Sequence, residues 1–343
     1  MSWKIFFWVA LLTTALMGCQ VHQNNDAGSG KKIKIGLAMD SFVVERWIRD
    51  RDIFVSTAES LGAQVIVEVA NEDEDTQVAQ IGSLVRQGID VLVVVATDSK
   101  KLGPVIRQVH DSGIPVISYD RLVLNGKADL YISYDNIKSG VLMAQALVNK
   151  LKKRKPIRLV IVNGARSDNN ATLMNVGYHQ VLDPLIQKGR VKILDEIWLH
   201  AWSSNEAEKA FRLALPKVGE IDGVIAADDL LAEPIVRVLS QNGILDHVSV
   251  VGMDADLAAC QRIVEGTQTM TVYKPIANLA KSAAHYAIML AEHQALGITQ
   301  FINDGSFEVP YVKLEPIAVN ASNMMSVIVK GGFHRENEIY RRP

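Results

Sequence analysis

From Lys31 onward, short β-branched runs alternate with longer stretches in which apolar residues recur every three or four positions. The short runs read as buried strands and the longer ones as amphipathic helices. Strands are predicted over 33–38, 64–69, 91–96, 115–119, 130–133, 158–162, 191–198, 223–227, 248–252 and 270–273. Helices are predicted over 45–61, 76–87, 100–112, 138–151, 171–188, 205–216, 229–241 and 256–265, with a further long one from 275 to about 293. Gly62, Gly88, Gly113 and Gly243 each follow a helical stretch, where a left-handed residue closes the last turn. Strands alternating with helices give parallel sheets built from right-handed crossovers.

The scheme runs twice. At 343 residues the chain exceeds one typical core. The expected class is therefore α/β, with two Rossmann-like domains whose parallel sheets are joined by a multi-crossover hinge. The first sheet should take 31–135 and the second 136–274. The helix after 270–273 has no strand partner left in the second sheet. The chain is thus expected to cross back over about 275–308, returning near 308–312 and leaving 309–343 with the second lobe. Two such domains joined by several crossovers enclose a cleft that a hinge can close.

Residues 1–18 follow a different pattern. Lys4 precedes an apolar run over 5–17, closed by Leu16-Met17-Gly18-Cys19. A run that short does not span a bilayer and reads as a secretory signal. A small residue followed by cysteine resembles the bacterial lipobox, which would make Cys19 the lipidated first residue of the mature chain. Residues 19–30, polar and Gly-rich, would then be a tether. An uncleaved N-terminal anchor is the alternative, and either arrangement holds the protein outside the membrane. Cys260 is the only other cysteine, so the mature chain can form no internal disulfide. On its apolar helix it reads as a small buried hydrophobe.

Charge and motifs then narrow the chemistry. With 36 basic and 38 acidic residues the net charge is −2, and no basic stripe marks a nucleic-acid surface. No phosphate-cradling G-x-x-x-x-G-K-[ST] or G-x-S-x-G nucleophile elbow occurs. The eight histidines lack ligand spacing for zinc. Glu72-Asp73-Glu74-Asp75 lacks the glycine and distal glutamate of a calcium loop and reads as a helix start near Thr76. No metal, cofactor or catalytic activity is expected. Asp120 and Asp254 could in principle flank a glycosidic bond, but an enclosing cleft hinders a polymer.

Ligands of parallel α/β sheets bind beyond the carboxyl ends of the strands. The residues that fall there are Glu45-Arg46-Trp47, Tyr119-Asp120-Arg121, Asp168-Asn169-Asn170, Asp228-Asp229 and Asp254. Carboxylates, guanidinium groups and amides, with tryptophans nearby, suit a neutral polyhydroxylated ligand.

Several stretches, in order, resemble the type I periplasmic binding proteins for sugars, and among them those that take D-xylose. They are Glu45-Arg46-Trp47 with Asp50-Arg51-Asp52-Ile53-Phe54, Tyr119-Asp120-Arg121, Tyr131-Ile132-Ser133, Asp168-Asn169-Asn170-Ala171 and Asp254-Ala255-Asp256-Leu257. The most specific is Gly266-Thr267-Gln268-Thr269-Met270-Thr271-Val272-Tyr273-Lys274-Pro275, supported by Gly332-Phe333-His334.

That resemblance implies a monosaccharide receptor, D-xylose or a related pentose being its ligand. Trp47 and Trp202 would be flat walls for the sugar ring, one per lobe, although a tryptophan near a helix start can also be core. Trp198 reads as core. Asp120 and Arg121 would present acceptors and a donor fork to the hydroxyls, unless they pair with each other on their loop. Arg46 would add donors. Asp168, Asn169 and Asn170 would contribute from the second lobe, or else cap a helix. Asp254 matches the family's other principal carboxylate, and Lys274 would reach into the cleft or sit exposed at its strand end. One departure stands out: the family commonly has Asn-Asp where this chain has Asp228-Asp229. Asp228 would pair with Lys274 or alter which sugar fits. The implied partner is a membrane ABC permease, with a membrane sensor kinase as the alternative.

Overall fold

The computed structural model describes residues 32–340. The signal segment, the tether and Cys19 lie outside them. In chain order the elements are β1 (Lys34–Met39), α1 (Arg46–Ser60), β2 (Gln64–Val69), α2 (Glu74–Arg86), β3 (Val91–Val94), α3 (Gly103–Asp111), β4 (Val116–Tyr119) and β5 (Leu130–Tyr134). There follow α4 (Asn136–Lys150), β6 (Ile157–Ala165), α5 (Asn169–Gln187), β7 (Val191–Leu199), α6 (Ser204–Val218), β8 (Gly223–Ala226), α7 (Asp229–Gln241), β9 (Ser249–Met253), α8 (Leu257–Glu265) and β10 (Met270–Tyr273). The chain closes with α9 (Ile276–Ala291), β11 (Phe301–Asn303), β12 (Glu308–Leu314), β13 (Ile317–Val319) and α10 (Glu336–Ile339).

Two sheets form, ordered β11-β12-β5-β4-β3-β1-β2 and β13-β10-β9-β8-β6-β7. Without their edge strands both reduce to the same parallel order, 2-1-3-4-5, repeated as 7-6-8-9-10. The expected α/β class with two Rossmann-like sheets is therefore present. Helices cover both faces of a parallel sheet, so its central strands carry unbroken apolar runs. Val91–Val94 of β3 and Gly223–Ala226 of β8 are buried at every position.

The helix after β10 returns the chain to the first sheet. Ile276, Leu279, Ala280, Ala283, Ala284 and Ala287 make one apolar stripe on α9, which packs along α1 and β3. Small alanines on that stripe let the helix axes approach closely. The second crossing differs from expectation. The return to the second lobe, expected near 308–312, comes later: β12 continues the first sheet, pairing in parallel with β5 from Tyr311 opposite Tyr131 to Leu314 opposite Tyr134. It covers what would be an open strand edge on β5. The second sheet is rejoined only at β13, antiparallel to β10. Residues 309–314 thus belong with the first sheet.

The acidic run behaves as read: Asp73 caps α2, its carboxylate accepting the Thr76 N–H at 2.6 Å. Cys260 is fully buried, and burial pushes its thiol pKa up, which disfavours the thiolate.

Candidate functional site

The carboxyl ends of the two sheets face a shared crevice. Its lining is Val44, Arg46, Trp47, Asp120 and Arg121 from the first lobe, with Asp168, Asn170, Met174, Trp202, Asp228, Met253, Asp254 and Lys274 from the second. Ten of the eleven residues expected at the ligand are brought together. Asn169 is the exception. Asp168 caps α5 with its Oδ1 on the Asn170 N–H at 2.9 Å, so Asn170 turns inward. Asn169, one position earlier on the helix, is only half-buried and donates its backbone N–H to Ser99 Oγ at 3.1 Å.

Arg46 is the first residue of α1 and organises the first lobe's side. Its Nε lies 3.0 Å from Asp50 Oδ2 one helical turn on, and its Nη1 lies 3.0 Å from Asp120 Oδ2. Tyr119 on β4 donates its hydroxyl to Asp50 from below. The Arg46 guanidinium also lies over the Trp47 ring, 4.5 Å from its centroid, and Arg121 stands 5.5 Å from the same ring. The indole is thereby held flat by cations.

Asp120 and Arg121 do not act as a side-by-side pair, nor do they pair with each other. Asp120 has φ +60, a conformation that turns its side chain away from its neighbour's. Its carbonyl accepts from Ser133 Oγ at 2.7 Å, and its Oδ1 accepts from Asn170 Nδ2 at 2.9 Å across the cleft. Burial pushes the Asp120 pKa up, but Arg46, Lys274 and Arg121 outweigh it and hold the carboxyl below its usual range. Arg121 instead donates Nη1 to Asp40 at 2.7 Å and to the Ala96 carbonyl at 2.9 Å. Its Nε reaches Asp168 of the opposite lobe at 2.9 Å.

On the second lobe Trp202 lies in the turn between β7 and α6, donating Nε1 to Asp168 at 3.2 Å. Its ring rests on Gly164: a Cβ there would meet the indole at 2.3 Å, so only glycine admits the ring in this position. Asp228 caps α7, Oδ1 accepting the Leu231 N–H at 2.8 Å. The expected pairing of Asp228 with Lys274 is not formed. Lys274 Nζ lies nearer Asp254, 4.0 Å from Oδ1, because the helix cap fixes the Asp228 carboxylate toward its own backbone. Trp47 and Trp202 both line the crevice and both also pack into the hydrophobic core, and Lys274 is buried rather than exposed. Trp198, as expected, packs against the core.

Val44, Met174 and Met253 line the crevice without having been anticipated. Asp40, Asp50 and Asn136 support it from behind. Only Asp50 left a local signal, standing four residues after Arg46 where a helix brings opposite charges together.

The crevice encloses about 30 Å³ of open space. Trp47 Nε1 in the lining and Asn136 Oδ1 behind it are buried with no hydrogen-bond partner, while Asp254 Oδ1 and Asp120 Oδ2 have only ionic contacts, with Arg46 and Lys274 and with Arg46 respectively. Each unmet polar atom costs roughly 1–3 kcal/mol. Among the described residues, no group of three side chains could hold a metal ion.

Two parallel lobes of one strand order, joined by repeated crossings and presenting unmet donors and acceptors to a common cleft, define a hinged binding protein. The chain belongs to the family described as the periplasmic binding protein domain, whose model matches residues 35–295. It is a family of receptors, not enzymes. The chain is 40% identical to the D-xylose-binding periplasmic protein of Escherichia coli K12, over 92% of this chain and 95% of that one. It is also 40% identical to the protein of the same name from Haemophilus influenzae, over 96% and 98%. A carbohydrate-transporter solute-binding protein from Chloroflexus aurantiacus, solved in complex with D-glucose, shares the fold. Its TM-score is 0.85 at 24% identity, covering 92% of this chain and all of that one.

Proposed function

We propose that the protein is an extracytoplasmic receptor for a monosaccharide, D-xylose or a closely related pentose, which it delivers to a membrane ABC importer. The observation that carries this reading is the pair of buried polar atoms without a hydrogen-bond partner, Trp47 Nε1 and Asp254 Oδ1, contributed by opposite lobes to one crevice between two indoles. A pyranose supplies hydroxyls for those atoms and apolar ring faces for Trp47 and Trp202. Relatives named for D-xylose binding, 40% identical over nearly the whole chain, favour the pentose. The crevice is walled by residues of both lobes. Admitting a sugar therefore requires the lobes to part, and its binding shifts their population toward closure. Lipidation of Cys19 and tethering through residues 19–30 complete the reading.

A thermal-shift screen tests it. D-xylose at 100 times its dissociation constant should add about 2.7 kcal/mol to folding stability, a shift of several degrees. No shift with any pentose or hexose defeats the proposal. Intact mass after membrane extraction tests the anchor: a diacylglyceryl adduct at Cys19 is expected, and an unmodified thiol rejects it.

A further inference from the structure

Six carboxylates and three cations surround the crevice. Asp40 and Asp168 each lie within 2.9 Å of Arg121, Asp50 and Asp120 within 3.0 Å of Arg46, and Asp254 stands 3.8 Å from Arg46 and 4.0 Å from Lys274. Asp228 is the exception. It is 2% exposed, and no basic side chain among the described residues lies within ion-pair distance of it. An isolated carboxylate out of water is costly enough that such a group neutralises instead.

Its acidic neighbours all act in one direction, against the hydrogen bond from the Leu231 N–H. Asp254 and Asp256 face it from the segment after β9, Asp229 follows it on α7, and the Tyr178 hydroxyl lies near it from α5. Lys274, at the end of β10, is the one opposing charge, and it sits nearer Asp254. Burial first, then Asp254, pushes the Asp228 carboxyl well above its usual range. Oδ1 is already taken as the acceptor of the Leu231 N–H, which leaves Oδ2 for a proton.

We propose that Asp228 enters the closed cleft as a neutral carboxylic acid and donates its O–H to a hydroxyl oxygen of the bound sugar, so that binding takes up one proton from solvent. A neutral acid offers one donor and one acceptor, as a side-chain amide does. It fills the place of the asparagine common at this position in the family. The inference rests on the sugar-receptor reading above.

Calorimetry of D-xylose binding to the full-length protein, between about pH 5 and 8.5 and in phosphate and Tris buffers of different ionisation enthalpy, tests it. The wild type should take up close to one proton per sugar in the upper part of that range, with affinity weakening by up to tenfold per pH unit. Asp228→Asn keeps both the cap and a donor. It should bind with pH-independent affinity and no proton uptake at this residue. A wild type with no proton uptake and flat affinity overturns the inference and leaves the receptor reading standing. Undiminished uptake in Asp228→Asn also overturns it, assigning the proton to Asp229 and Asp256. Absence of sugar binding at every pH defeats the receptor reading itself.

Discussion

Asp120 and Asp254 reach one guanidinium nitrogen from opposite lobes, Arg46 Nη1 lying 3.0 Å from Asp120 Oδ2 and 3.8 Å from Asp254 Oδ1. They are also counterparts in the repeated topology. Asp120 follows β4 with φ +60 and donates its N–H to Ile132 of β5 at 2.8 Å. Asp254 follows β9 with φ +90 and donates to Val272 of β10 at 2.7 Å. Left-handed backbone in a residue with a side chain is uncommon, and it persists where surrounding structure over-determines it. Here it turns two equivalent strand ends inward.

That relationship makes the two carboxylates the centre of the grip. Replacing Asp254 with alanine removes the partnerless Oδ1 acceptor and the counter-charge of Lys274. Hydrogen bonds to charged groups are worth about 1.5–3 kcal/mol each, so D-xylose affinity should fall at least tenfold in calorimetry while circular dichroism stays native. Wild-type affinity in that variant would remove Asp254 from the site.

Gly164 and Trp202 predict a different kind of loss. A methyl at Gly164 meets the indole at 2.3 Å, so the ring must leave its place over β6. Overpacking of this sort costs about 1–3 kcal/mol. Gly164→Ala should therefore lower the melting temperature and weaken sugar binding together. Trp202→Ala should abolish the sugar-induced shift. Unchanged affinity in Gly164→Ala would show that the ring is not a wall.

How much of this was legible beforehand follows from which forces are local. Runs such as Val91–Val94 announce buried strands without context, and α1 to α9 follow from apolar periodicity, so the repeated alternation of strands and helices is legible in the sequence, whereas the order of strands within each sheet is not. β11 and β13 span three residues each and form because a neighbouring edge needs covering, a demand no local pattern carries. Asp168 was readable as a cap or a ligand, and it caps α5 from within the crevice. Which of Asn169 and Asn170 then points inward depends on the helix phase, which the cap alone does not reveal. Asp120 and Arg121 are adjacent in the chain, yet their partners, Arg46 and Asp168, come from distant elements. Only the folded backbone decides that.

The tail residue His334 gives a pH prediction. Its Nε2 lies 2.8 Å from the Ala255 carbonyl, holding the segment that carries Asp254. Burial lowers its pKa from the ordinary value near 6.5. Above that value the ring is neutral in both folded and unfolded chains and contributes no pH dependence. As pH falls below it the unfolded chain takes up the proton first, so this part of the stability is lost through the window beneath about pH 6.5. Denaturant midpoints should drop there less steeply in His334→Gln than in the wild type. Identical slopes would show that the ring titrates normally.

Ser99 ties the lobes together without lining the crevice. Its N–H donates to the Ser167 carbonyl at 2.8 Å, and its Oγ accepts the Asn169 N–H at 3.1 Å. Ser99 belongs to the loop after β3, Ser167 to the loop after β6 and Asn169 to the start of α5, so both bonds exist only when the lobes meet. A net hydrogen bond is worth about 1 kcal/mol, and one that forms on closure adds to sugar affinity although it touches no sugar. Ser99→Ala removes the Oγ acceptor and keeps the backbone bond. It should weaken D-xylose binding about threefold to tenfold, with the change in dissociation rate rather than association, since contacts made after encounter act on release. Stopped-flow tryptophan fluorescence separates the two rates. A slower association with unchanged release would mean that Ser99 shapes the open form instead.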